Sequence, residues 1–98
     1  MSISEKEKIK LEAQTFQRLV QHLQDNTEVQ NIDLMNLANF CRNCLSKWYV
    51  EAAKENNLDI NYEQARELIY GMPYADWKNK FQKEATADQM NKFEKSKL

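Results

Sequence analysis

Apolar residues recur along most of this chain at steps of three and four, the period of one face of an α-helix. The first run is Ile9, Ala13, Phe16, Val20 and Leu23, with Leu19 beside it. Ser4 precedes it and Glu7 follows three residues later. That is a capping-box pattern, in which the Ser4 hydroxyl accepts from the Glu7 amide and the Glu7 carboxylate accepts from the Ser4 amide. Asp25 and Asn26 favour turns and close this helix. After a connector over 27–32, Asp33 is placed to cap a second helix that runs to about Lys54. Its stripe is Leu34, Leu37, Cys41, Cys44 with Leu45, Trp48 and Ala52, widened by Met35 and Phe40. A face that wide implies cover on two sides. Asn56 and Asn57 suit the left-handed end of such a helix.

Asn61 and Gln64 form another capping pair, opening a third helix with Tyr62, Ala65, Leu68 and Ile69 inward. Gly71 stops it. Met72-Pro73 restarts the chain, since Pro fits the first helical position. Tyr74, Trp77 and Phe81 then give a fourth helix one aromatic face. Thr86 and Gln89 cap a last, weakly amphipathic segment with Met90 and Phe93, which is expected to fray. One Gly and one Pro are little turn punctuation for a sheet. The pattern predicts an all-α fold: a small bundle of four to five helices around a central helix over about 33–54, in a single domain over residues 1–98.

Composition changes little of this. Apolar residues make up 42% and charged residues 30%, which fits a folded globular class. The 14 basic and 15 acidic residues are mixed along the chain, so nothing draws it to nucleic acid or an anionic membrane. The Lys- and Glu-rich ends, Glu5 to Lys10 and Lys92 to Lys97, read as solvated helix faces. The opening MSISEKEKIK has no apolar core, so no signal peptide is expected. No window approaches the roughly 18 apolar residues of a spanning helix. The expectation is a cytoplasmic protein with no membrane or nucleic-acid partner and with reduced thiols.

Three groups of residues could carry chemistry. Cys41 and Cys44 form a C-x-x-C motif, which suggests a redox pair or half of a metal site for zinc or another thiophilic metal. The alternative is that both are small buried hydrophobes. A place about eight residues inside a helix deprives the pair of the helix N-terminus that lowers a thiol pKa. The lone histidine, His22, lies on the first helix, where a surface or core-edge role is expected. Asn31, Asp33, Asn36, Asn39, Arg42, Asn43 and Lys47 form a polar set on or just before the central helix. Asn is a poor helix former, so these residues either bind a ligand or partner or cap neighbouring helix ends. Tyr70, Tyr74 and Trp77 surround a Gly-x-Pro corner that is either a recognition surface or the aromatic plug of the core, where Trp48 and Trp77 are expected to meet. There is no phosphate loop, nucleophile elbow or H-E-x-x-H motif.

The blocks NIDLMNLANFCRNCLSKWY and YGMPYADWK resemble a short bacterial family, known mainly from proteobacteria and described as a domain of unknown function. The resemblance covers roughly residues 9 to 82. It implies a small all-helical domain with no established activity and no catalytic residues to carry over. Residues 83–98 lie outside it as a helical tail. The leading expectation is a non-enzymatic, self-associating interaction module with a second copy or another protein as partner. The alternative is a metal-binding or thiol-redox protein using Cys41 and Cys44. A weaker third is a small enzyme using Asp33, Asn36, Arg42 and Lys47.

Overall fold

The computed structural model describes residues 2–96; Lys97, the end of the second Lys-rich run, lies outside them. Six helices follow in order: α1 (Glu5–Asp25), α2 (Asn31–Ala38), α3 (Arg42–Glu55), α4 (Tyr62–Tyr70), α5 (Tyr74–Phe81) and α6 (Ala87–Ser96). The fold is an all-helical bundle, with no strand among the described residues. The capping boxes at Ser4/Glu7 and Asn61/Gln64 are formed, and so is the Thr86/Gln89 pair. Gly71 ends α4 in the left-handed region at φ 76°.

The expected central helix over 33–54 is two helices, which raises the count to six. Asn39 turns left-handed, with φ 59° and ψ 28°, and donates its backbone N–H to the Met35 carbonyl at 3.0 Å. Asn tolerates this conformation better than most residues. Phe40 lies outside a helix and Cys41 is extended before α3 starts. The start of α2 also lies earlier than expected. Gln30 is its N-cap, and Asp33 is the N3 partner that accepts from the Gln30 amide at 3.0 Å.

The core gathers Leu23, Leu34, Cys41, Leu45, Ile69, Tyr70 and Trp77, with Phe16, Val20, Val29 and Phe81 packed against it. The two tryptophans do not meet. Trp77 is buried against Tyr70 and Phe81, with ring centroids at 5.0 and 5.9 Å. Trp48 is half-exposed and stacks on Phe40 at 6.4 Å. Leu68, expected inward, faces out.

The molecule is elongated, 48 × 31 × 26 Å, with a radius of gyration of 15.6 Å against about 13 Å for a compact chain of this length. Helix α1 is one cause. Its second half packs on α4, whereas every residue from 5 to 15 is exposed. The 21 residues of α1 reach about 31 Å, so its first three turns stand off the body.

Candidate functional site

The last carbonyls of a helix have no partner within it and must be capped from elsewhere. Here long polar side chains from other segments reach those carbonyls. Gln24, on α1, donates to the Leu68 and Ile69 carbonyls at the end of α4, at 3.3 and 3.1 Å. Gln30 donates to the Phe81 carbonyl at the end of α5 (3.0 Å) and accepts from the Lys83 amide (2.8 Å).

Arg42 does the same for α1 and sits at the centre of the molecule. Only 1% of it is exposed. Its Nη2 donates to the carbonyls of Leu23 (3.4 Å) and Asn26 (3.1 Å), and its Nη1 to the Val29 carbonyl (2.7 Å) and Asn31 Oδ1 (3.2 Å). Its guanidinium lies 4.9 Å from the centre of the Trp77 ring. None of these acceptors is a carboxylate. Burial pulls the Arg42 pKa down, and the charge is carried instead by the negative end of the α1 dipole and by the ring face. Guanidinium stays charged in proteins, so this is a buried cation solvated by backbone.

A polar chain leads outward from it. Asn31 Oδ1 also accepts from the Arg42 amide at 3.3 Å, which satisfies the first open N–H of α3. Asn31 Nδ2 donates to the Tyr70 hydroxyl (3.0 Å), and that hydroxyl donates to Asn43 Oδ1 (2.7 Å). Burial raises the Tyr70 pKa well above the ordinary range, against the lowering effect of the Asn31 bond. Asn31, Asn43, Tyr74, Trp77, Gln82 and Lys83 line an open cleft of about 320 Å³. The Tyr74 hydroxyl donates to Gln82 Oε1 at 3.1 Å. Arg66 stacks between the rings of Tyr62 and Tyr74, 4.5 and 4.0 Å from their centres, and pairs with Glu63.

The structure therefore brings together Asn31, Arg42, Asn43, Tyr70, Tyr74 and Trp77 from the residues singled out in the sequence. It separates the others. Asp33 and Asn36 hold α6 on α2: Gln89 Nε2 donates to Asp33 Oδ1 (2.9 Å), and Asn36 Nδ2 donates to the Gln89 carbonyl (3.1 Å). Asn39 is the left-handed end of α2, and Lys47 is exposed on α3. His22 is exposed on α1. Gln24 and Gln30 were missed in the sequence. Their signal was weak: a Gln beside a stripe residue, and a Gln three residues ahead of an Asp.

The break at Asn39 moves the cysteines. Cys41 is the N-cap of α3 and Cys44 its N3 residue, so the pair opens a helix instead of lying inside one. Cys41 is buried and Cys44 half-buried; both are free thiols. Burial pushes the Cys41 thiol up, and the nearby Cys44 thiol pushes it further. The Cys44 and Asn43 amides pull it the other way without forming a full side-chain cap. Among the described residues no group of three or more His, Cys, Asp and Glu side chains could hold a metal ion, so a metal on these sulfurs would need ligands from another molecule. No helix among the described residues is long and apolar enough to cross a membrane.

Residues 29–95 match the model of the family described as Protein of unknown function (DUF1244). The match takes in more than half of the chain, which belongs to that family. It begins after α1 and extends through most of α6. No curated protein matches the chain.

Proposed function

We propose that this small helical protein, a member of a family of unknown function, is a self-associating interaction module whose seam is the projecting half of α1. One observation carries the reading. Ile9, on the apolar stripe of α1, is 58% exposed, in a stretch where every residue from 5 to 15 is exposed. Tertiary burial supplies most of a helix's stability, which favours a neighbour along this uncovered stretch.

The spacing of Ile9, Ala13, Phe16, Val20 and Leu23 alternates four and three, the a/d rhythm of a coiled-coil seam. Val20 and Leu23 use that seam inside the chain, and Ile9 and Ala13 leave it open. Charge balance supports a second copy as the occupant. Between residues 5 and 12 the chain carries three Glu and three Lys, so two copies of this stretch meet without net repulsion. Two-fold pairing is the commonest symmetry of small soluble oligomers.

Light scattering on size-separated protein tests this. A particle of twice 11.7 kDa is expected, with Ile9→Glu/Ala13→Glu, both on the seam, reducing it to a monomer. A clean monomer at high micromolar concentration overturns the reading.

A second reading, a protein working through Cys41 and Cys44, gains support from their place at the start of α3. Its metal form needs a second pair of ligands from another copy. Its redox form needs only the two thiols.

A further inference from the structure

The first turn of α3 brings two sulfurs to one place. The Cys41 carbonyl accepts from the Leu45 amide at 3.2 Å, closing the turn that contains both cysteines. In a capping box the N-cap and N3 side chains face each other across this same turn. Residues three apart on a first turn lie within the Cα separation that a disulfide spans. The two thiols differ in access: Cys41 is buried and Cys44 is half-buried.

A second feature lies beside them. Trp48 is one turn beyond Cys44 on α3, the i, i+4 relation that places two side chains on one face. Trp48 is 52% exposed and its ring stacks on Phe40. Trp48 does not fill the core. An aromatic platform one turn from a half-buried thiol fits apolar residues that flank a sulfur.

We propose that Cys44 and Cys41 form a thiol–disulfide exchange site for disulfides of other proteins, with Cys44 attacking, Cys41 resolving and the Phe40/Trp48 platform holding the apolar residues beside the substrate disulfide. The Cys44 thiolate attacks one sulfur of the substrate disulfide, forming a mixed disulfide and releasing the first substrate thiolate. The Cys41 thiolate then attacks Cys44 Sγ, forming the Cys41–Cys44 disulfide and releasing the second. The two protons lost by the cysteines end on the two substrate thiols. The substrate is reduced by two electrons and the dithiol is oxidised by two. A low-potential dithiol of the solution, dithiothreitol in the assay, returns the pair to the reduced state. The inference rests on the second reading above.

The experiment exposes the reduced full-length protein to a disulfide-bonded peptide with aromatic flanks and, separately, to oxidised glutathione. Products are read by mass after thiol blocking. Cys41→Ser keeps a favoured N-cap residue and is expected to accumulate the mixed disulfide on Cys44. Wild type is expected to end as the internal disulfide, lighter by two hydrogens. Trp48→Ala is expected to slow reaction with the peptide about tenfold, the loss of one aromatic anchor, and to leave glutathione unchanged. An adduct that forms faster on Cys41 of Cys44→Ser than on Cys44 of Cys41→Ser overturns the order of attack. Equal slowing of peptide and glutathione in Trp48→Ala overturns the protein-disulfide assignment. Stable adducts on wild type with no internal bond overturn the exchange site, although the cysteines are still reactive. Thiols that react only after denaturation overturn the second reading itself.

Discussion

The two halves of α1 share a helix and live by different physics. The second half ends on Arg42, which holds the Leu23 and Asn26 carbonyls in the centre of the protein, and its Val20 and Leu23 pack into the core. The first half has a good cap at Ser4, strong helix formers and an apolar stripe, with nothing to pack against. Capping and propensity are enough to start a helix; burial is what fixes one. The difference explains why the same rhythm of apolar residues serves the interior at one end and is open to a partner at the other.

The largest expected effect breaks the anchored half. Arg42→Met keeps apolar volume but removes four side-chain hydrogen bonds, to the Leu23, Asn26 and Val29 carbonyls and to Asn31 Oδ1. The loss is roughly 3–5 kcal/mol, read as a lower urea midpoint. Arg42→Lys should recover little of it, because an ammonium cannot reproduce the planar fork. An effect below about 1 kcal/mol would show that the guanidinium is a passenger.

Next is Gly71. Its φ of 76° already disfavours a side chain, and an added Cβ would lie 2.9 Å from Gln24 Cδ. Gln24 cannot withdraw without leaving the Leu68 and Ile69 carbonyls. Gly71→Ala is expected to cost roughly 1–2 kcal/mol, the price of a left-handed non-glycine residue or more, and Gln24→Ala should relieve part of the clash while losing the cap. Strict additivity of the two changes would contradict this coupling.

Alkaline pH probes the same junction more gently. The folded state holds the Cys41 and Tyr70 protons at pH values where the unfolded chain releases them. Their stabilising contribution is therefore complete below the ordinary thiol and phenol ranges and is lost as pH rises. Stability should begin to fall from about pH 8.5 through Cys41 and more steeply from about pH 10 through Tyr70. Under reducing conditions, Cys41→Ser should remove the early fall and Tyr70→Phe should flatten the later one. Denaturation curves against pH check both.

The smallest effect lies in the free half. Ser4→Ala removes the capping box and should cost about 0.5–1 kcal/mol locally. It is expected to lower helicity by circular dichroism without moving the urea midpoint of the monomer.

Local signals on the chain were enough for the ends of most helices. Ser4, Asn61, Gly71 and Thr86 act on neighbours within four residues, so their roles are readable in order; Pro73 opens α5 as expected but as its N-cap, one place before the first helical position. The break between α2 and α3 was not readable in this way. Leu34, Leu37, Cys41 and Cys44 keep helical spacing straight across it, while the left-handed Asn39 and the extended Cys41 interrupt the backbone. Periodicity does not show whether the hydrogen-bond ladder is continuous, and where the ladder breaks, stripe residues such as Leu37 are left exposed. The polar junction was half legible. A run of Asn in a helix-rich region signalled side-chain to backbone work, but the partners of Arg42 lie 11 to 19 residues away, and those of Gln24 and Gln30 more than 40. Such pairings depend on the assembled fold. The spacing that links Trp48 to Leu34 crosses the break, and Trp48 lies exposed on α3 against Phe40 instead of in the core.

Amide hydrogen exchange along α1 tests the contrast most directly. Amides of residues 17 to 25 should exchange only through global unfolding at every protein concentration. Those of residues 8 to 15 should exchange freely in dilute protein and gain protection as concentration rises and α1 pairs. Uniform protection of the whole helix, independent of concentration, would contradict the account.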